Sequence, residues 1–448
     1  MRVTRAEPVL VHAAGDVPAA DEYYFLSNLD QNVAVLMKTV HVFSPSRARD
    51  DAAAVIMDAL GRVLVHYYPF QGSLVVSADD GRLSVRNDRR GVPFVVADAD
   101  CELKEVGDVV LSAPDAAAVQ EQLVFVGRSN SEEKEDDELG APLLSVQVTR
   151  FRCGGFVLGL AMNHCLADGV AAAEFLRSWA EMARGVPLSS PPFLDRTVLR
   201  ARTSPTVAFP HEEFAEMEDV SGLAGLREEP RVHRAFAIDA DRLARLKRQA
   251  CACSTFVALT AFVWRATSRA MRMRPEQKSK LMFAVDGRWR VDPPLPRGFC
   301  GNAVVFACCV STAGDLLGGP VSAAARWIQD AIRRTADAFI RSAIDYVEVD
   351  GGRAPSMTAT TLVTAWNRLG FHAADFGWGE AAQSGPAELP RGEVVMFMRD
   401  VRDGSIVVLL GLPRSCIVAA DEQNIIGNFH DQTYIPYKYK ADFNDNNY

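Results

Sequence analysis

Hydrophobic and polar positions divide the chain into two α/β stretches separated by a stretch with no period. Val33 to Val42 alternates imperfectly and is rich in β-branched residues, which predicts a strand, and Asp51 to Tyr67 has the apolar spacing of a helix. Gly72 to Val76 followed by Arg82 to Val85 reads as a hairpin. Two further β-like runs, Leu143 to Arg150 and Gly155 to Met162, flank Cys153 and Gly154, so a second hairpin delivers the chain to Asn163 and His164. Beyond Gly169, Val170 to Arg184 has helical spacing with Trp179 and Met182 on the apolar side. Prolines 187, 191, 192, 205 and 210 punctuate the stretch from Gly185 to about Leu223, and a second α/β half begins near Val232. The expected organisation is therefore an N-terminal domain over 1–185, a crossover linker over 186–223 and a C-terminal domain over 224–448, with no internal repeat.

Length supports two cores, because 448 residues exceed the ~250 to 300 at which a single core stops growing. With 48% apolar and 23% charged residues the composition is that of a globular protein. No apolar run approaches the ~18 residues that a membrane span needs. Met1 to Ala14 mixes Arg2, Arg5, Glu7 and His12 with short apolar stretches, unlike a secretory signal, so a cytoplasmic protein is expected. A net charge of −9 and a pI near 5.5 argue against nucleic acid and anionic membrane surfaces as partners. The acidic segment from Glu132 to Glu138 reads as an exposed loop. Nine cysteines without a C-x-x-C pair give no sign of a zinc or redox site and are expected to be free, mostly buried thiols.

The chemistry concentrates where a strand ends and a helix begins, in Asn163-His164-Cys165-Leu166-Ala167-Asp168-Gly169. A histidine suits removal of a proton from an alcohol, since an unperturbed pKa of ~6.5 leaves neutral imidazole dominant near neutral pH. On the residues alone, Asp168 reads either as the orienting carboxylate of a triad or as a structural residue. Cys165 as a nucleophile served by His164 is disfavoured, because adjacent residues leaving a strand point to opposite faces.

These residues, with Asp375-Phe376-Gly377-Trp378-Gly379 about two hundred positions later in the same order, resemble the two signatures of the plant BAHD acyltransferases. Asp286-Gly287-Arg288-Trp289-Arg290, the run from Pro293 to Asn302, Tyr67-Tyr68-Pro69 and Ser254-Thr255-Phe256 also match, so the resemblance spans Val3 to Leu412. It implies an α/β fold of two chloramphenicol-acetyltransferase-like domains with mixed sheets and a channel at their interface. It further implies that His164 is the general base, and that Asp168 points away from the channel to pair with Arg288. Asp375, Gly377 and Gly379 would form a structural turn, and Thr364-Ala365-Trp366 would supply donors to the oxyanion. Acyl-CoA is the implied co-substrate, with no permanently bound cofactor, no metal, an alcohol acceptor and a monomeric enzyme. Ser254 and Thr255 open a helix expected to face the CoA phosphates, and Arg265, Arg269, Arg272 and Arg274 form a basic cluster for its 3′-phosphate.

Tyr23 to Asn32 resembles the branch that moves hydroxycinnamoyl groups, feruloyl above all, onto monolignols or onto ω-hydroxy fatty acids and fatty alcohols. Phe25, Tyr68, Phe70, Phe371 and Trp366 are the candidate lining of an apolar channel. With no usable nucleophile beside His164, direct attack within a ternary complex is expected rather than an acyl-enzyme. The alternatives are another acyl donor, an amine acceptor, or a non-catalytic binding protein on the same fold. From about Arg414 the sequence departs from the resemblance: it is polar, aromatic and Asn-rich where an amphipathic helix is expected.

Overall fold

A computed structural model of the protein describes residues 1–17, 21–45, 51–77, 80–110, 116–127, 140–352, 355–388 and 394–417. The acidic segment from Glu132 to Glu138, and the tail from residue 418 onward, lie outside the described residues. Residues 414–417 are helical, and Cys416 and Ile417 are buried against the second core, so the start of the tail is packed rather than period-free.

The class is α/β with mixed sheets. A seven-stranded sheet runs in the order Val3–Arg5, Val92–Ala99, Leu144–Arg150, Phe156–Asn163, Leu36–Phe43 and Gln383–Pro386, with Val9–Val11 also bonded to Val92–Ala99. A six-stranded sheet runs Arg231–Ile238, Ile406–Pro413, Val394–Arg399, Thr360–Ala365, Lys278–Asp286 and Val304–Thr312. Ser73–Val76 and Leu83–Arg86, the hairpin legible in the sequence, join Tyr23–Phe25 in a small third sheet. Phe156–Asn163 lies between two neighbours and is buried along its whole length, which explains why its sequence is nearly continuously apolar rather than alternating.

One face of the first sheet packs on the helices Ala52–Leu64 and Gly169–Ala183, where Tyr67, Phe70, Phe175 and Trp179 form an aromatic cluster. The helices Thr255–Ala270 and Val321–Arg334 cover the second sheet. Between the two sheets lies a third core, with Val40, Val42, Val157 and Ala161 from one and Met396, Met398, Val407 and Leu409 from the other. This shared layer fixes the sheets against each other, as buried apolar surface does without any directional bond.

Two features of the connection matter for the site. Gln383–Pro386, from the C-terminal part of the chain, pairs with Leu36–Phe43 and extends the first sheet. The proline-punctuated crossover is held by polar side chains. Asp345 accepts from Arg202 Nε at 2.6 Å and from Thr206 N at 2.6 Å, and the buried Lys280 donates to the carbonyls of Glu213 and Ala215 at 3.1 and 2.9 Å. A segment with no apolar period is thereby fixed by hydrogen bonds instead of by a core of its own.

Candidate active site

His164 follows the last residue of Phe156–Asn163, and its backbone N–H donates to Val35 O at 2.8 Å, prolonging the pairing with the neighbouring strand. Its side chain is half-buried. Nδ1 lies 3.0 Å from Asn302 Oδ1, while Nε2 has no partner among the described residues. One nitrogen is thus anchored and the other is left to meet a ligand. Cys165, by contrast, is fully buried, with its backbone N–H bonded to Asn163 Oδ1 at 3.0 Å.

Asp168 faces away from His164. It is the N-cap of the helix Gly169–Ala183, accepting from Val170 N at 3.1 Å and Ala171 N at 3.0 Å. Its carboxylate also takes both terminal nitrogens of Arg288 at 2.9 Å each and Ala303 N at 3.0 Å. Burial opposes ionisation of this carboxyl, but Arg288 and the backbone N–H groups outweigh it and hold Asp168 below the ordinary carboxylate range. Arg288 is raised in turn: burial acts against its charge, and Asp168 and Asp286 more than offset that. Every acceptor position of Asp168 is spent on structure, so it has no bond to offer the histidine.

Asp375 closes its turn in the same manner, with Oδ1 accepting from Gly377 N at 2.7 Å and Gly379 N at 2.8 Å. Gly377 and Gly379 sit at φ 108° and 84°, backbone that a side chain would strain. The turn drives Phe376 edge-on between Phe43 and Trp179 and sets Trp378 edge-on to Phe156. It is a plug that docks C-terminal chain onto the strand and helix flanking His164, close to the crossing made by Gln383–Pro386.

Thr364 and Trp366 stand at the end of Thr360–Ala365, both half-buried, and neither makes a hydrogen bond to His164. Among the described residues neither the Thr364 hydroxyl nor the Trp366 indole N–H has a hydrogen-bond partner. The segment is nonetheless at the motif. Trp366 packs on the cluster that includes Cys165, Leu166 and Ala167, and a Cβ on Gly169 would come within 2.6 Å of Leu369 Cδ1. Phe371 lies 5.3 Å from Trp366, and His41 6.1 Å from Phe371. Burial pushes His41 down to about 4, and its two nitrogens lie 2.7 Å from Ser384 Oγ and 3.2 Å from Thr39 Oγ1, so it is a neutral wall residue rather than a rival base.

Other expected residues fall elsewhere. Phe70 is core, packed on Tyr67 and Phe175, and lines no channel. Phe25 is covered by Arg200, whose guanidinium carbon lies 4.2 Å from the ring centre, and Tyr68 is half-buried edge-on to Tyr24. Ser254 caps the helix Thr255–Ala270, its hydroxyl accepting from Val257 N at 3.3 Å, and neither Ser254 nor Thr255 touches His164. Arg265 is committed to the carbonyls of Leu316, Leu317 and Gly319, which removes it from the phosphate cluster, whereas Arg269, Arg272 and Arg274 are exposed. A second histidine set has triad spacing, with His211 at 2.7 Å from Glu213 and 2.8 Å from Ser342 Oγ. It is sealed in the crossover, with Ser342 fully buried and accepting from Ala208 N, so it holds structure and meets no substrate.

The sequence reading did not assign roles to three residues around the histidine: Asn302, Asp30 and Arg196. Asn302 stood in a matched motif, and Asp30 follows Ser27 at the spacing of a capping box, which is a signal for a helix start rather than for a site. Arg196 lies in the aperiodic crossover and carries no local signal.

Two sheet-based halves joined by a crossover, with one histidine presented at a strand end, match the architecture that the acyltransferase resemblance implies. A model of the transferase family matches residues 1–424, and the chain belongs to that family, the BAHD acyltransferases of the sequence resemblance. It is 44% identical over 437 residues to the ω-hydroxypalmitate O-feruloyl transferase of Arabidopsis thaliana, covering 94% of this chain and 93% of that one. It is 47% identical over 421 residues to the fatty alcohol:caffeoyl-CoA acyltransferase of the same plant, covering 93% and 96%. The crystal structure of vinorine synthase superposes with a TM-score of 0.75 at 20% identity, covering 95% of this chain and 98% of that one.

Proposed function

We propose that the protein is a coenzyme A-dependent O-acyltransferase that moves a hydroxycinnamoyl group, feruloyl foremost, onto the terminal hydroxyl of a long-chain ω-hydroxy acid or fatty alcohol. The observation that carries the reading is His164, half-buried, with Nδ1 engaged by Asn302 and Nε2 open. The two Arabidopsis relatives favour an aliphatic acceptor over the monolignol that the sequence left equally open.

In this mechanism Nε2 takes the proton of the acceptor hydroxyl as its oxygen attacks the thioester carbon. The carbonyl electron pair moves to oxygen, to which the Thr364 hydroxyl and the Trp366 indole N–H are assigned as donors, a type of interaction worth a few kcal/mol when preorganised. Collapse breaks the C–S bond, and the CoA thiolate leaves with the proton from Nε2. Cys165 takes no part, because it is buried. Asp168, Arg288, Asp375, Gly377 and Gly379 hold the frame, while Ser254 and Thr255 bind CoA through the helix they open. The acyl-CoA is a co-substrate and no cofactor stays bound. Residues 1–185 and 224–448 are the two domains in this reading, each supplying most of one core while Phe371, Phe376 and Trp378 cross into the first, and the enzyme works as a cytoplasmic monomer.

Thiol release tests the reading with feruloyl-, p-coumaroyl-, acetyl- and malonyl-CoA, each offered ω-hydroxypalmitate, a fatty alcohol or coniferyl alcohol. Turnover is expected with the hydroxycinnamoyl donors and the aliphatic acceptors. Exclusive use of acetyl- or malonyl-CoA, or of coniferyl alcohol, would overturn the donor or the acceptor assignment respectively.

A further inference from the structure

The histidine stands at the end of a hydrogen-bond chain that begins at a buried ion pair distant in sequence. Asp30 and Arg196 are 0% and 1% exposed at their side chains and 3.1 Å apart. Asp30 Oδ2 accepts from Ser27 N at 2.8 Å and Ser27 Oγ at 2.7 Å. Asp30 Oδ1, which meets Arg196, also accepts from Asn302 N at 2.8 Å and Asn302 Nδ2 at 2.9 Å. Asn302 Nδ2 gives its second proton to His164 O at 2.8 Å, and Asn302 Oδ1 faces His164 Nδ1 at 3.0 Å.

An amide side chain can present either its oxygen or its nitrogen to a neighbour, and only its partners decide which. Here the partners decide fully. A carboxylate oxygen and a backbone carbonyl accept and never donate, so the atom between Asp30 and His164 O is the amide nitrogen. The atom facing Nδ1 is then an oxygen, which accepts only. Nδ1 must carry a proton, and a neutral imidazole with its single proton on Nδ1 has its lone pair on Nε2, the form a general base requires. Turning the amide over would set its oxygen against a carboxylate and a carbonyl at once. Arg196 adds a second constraint, donating Nη1 to Cys165 O at 2.6 Å, Nη2 to Leu166 O and Nε to Cys300 O at 3.1 Å. It therefore grips the two residues after His164 and the residue two before Asn302.

We infer that Asp30, held by Arg196, is a positioning residue for acyl transfer: acting through Asn302, it fixes the His164 tautomer whose Nε2 is unprotonated. The inference rests on His164 as the base, but its test does not. Nitrogen-15 NMR of the intact protein, carrying labelled histidine and with the His164 signals identified by their loss in His164→Ala, reads the tautomer directly. The expected result is a protonated Nδ1 and an unprotonated Nε2 in the resting enzyme. A proton on Nε2 in the wild type would overturn the inference without any variant having to fold. Asp30→Asn is expected to mix the two tautomers and to lower kcat on the order of a hundredfold with KM for the thioester little changed. Should Asp30→Asn not fold, Asn302→Ala is expected to give the same split between kcat and KM. A folded variant of either kind with a wild-type tautomer and kcat would contradict the inference. If His164→Ala kept full activity while the tautomer was as expected, the base assignment would fail and with it the part of Asp30 in acyl transfer, while the tautomer assignment would stand.

Discussion

Two buried arginine–aspartate pairs hold opposite ends of one short turn, and they do different things with the same chemistry. At the Asp168 end every bond closes on structure: two contacts from Arg288, two N–H groups of the helix that Asp168 caps and the N–H of Ala303. At the His164 end the bonds of Asp30 pass through Asn302 to the imidazole, while Arg196 ties down Cys165 and Leu166. Burying an ion pair costs solvation that its attraction barely returns, so neither pair is explained by net stabilisation. What separates them is where the remaining partners lead. One pair ends in a frame and the other ends in the atom that takes a proton.

Substitutions at the two ends should separate these roles. The largest effect is expected from His164→Ala, a loss of about two to four orders of magnitude in kcat with CoA binding retained, measured by steady-state kinetics beside calorimetric titration with CoA. Equal loss of binding would make the histidine structural. Asp168→Asn is expected to lower the unfolding free energy by about 3 to 5 kcal/mol in urea, because it leaves the buried Arg288 with only the more exposed Asp286 as its charge partner, while kcat per folded molecule stays near wild type. The same pair sets a pH dependence. Burial opposes the Asp168 charge and Arg288 outweighs it, so the folded carboxyl titrates below its ordinary 3.8. Its contribution is complete above that value and is lost as pH falls below it towards the folded pKa, so the gap between wild type and Asp168→Asn should narrow only in that acid range. A gap that instead narrowed near neutrality would assign it to another group. Smaller again, Thr364→Val and Trp366→Phe should each lower kcat about tenfold to a hundredfold without altering stability at the Asp168 end, checked by kinetics and urea unfolding of the same samples. Unchanged kcat in both would remove them from the oxyanion.

What could be read in the sequence was what local pattern encodes. The strand over Leu36–Phe43, the hairpin ending at Asn163 and the helix Gly169–Ala183 follow from hydrophobic period, and the motif matches implied the turn at Asp375 and placed Asp168 beside Arg288. The relay to His164 was not legible, since its contacts join residues 138 and 272 positions apart and Arg196 sits where no period exists. Gln383–Pro386 is too short to show an alternation, so its crossing into the first sheet was equally hidden. Phe70 and Arg265 were misplaced for a related reason. Composition marks an aromatic ring or a guanidinium but not the neighbours that consume it, and here those neighbours are Tyr67 and Phe175 in one case and three helix-end carbonyls in the other.

The comparison itself is tested most directly by measuring kcat per folded molecule and urea stability side by side for Asp30→Asn and Asp168→Asn. Asp168→Asn is expected to lose stability and keep its turnover, while Asp30→Asn is expected to lose turnover beyond anything its stability explains. Equal behaviour of the two variants in both measurements would contradict this, and would mean that the two ends of the turn serve the fold alike.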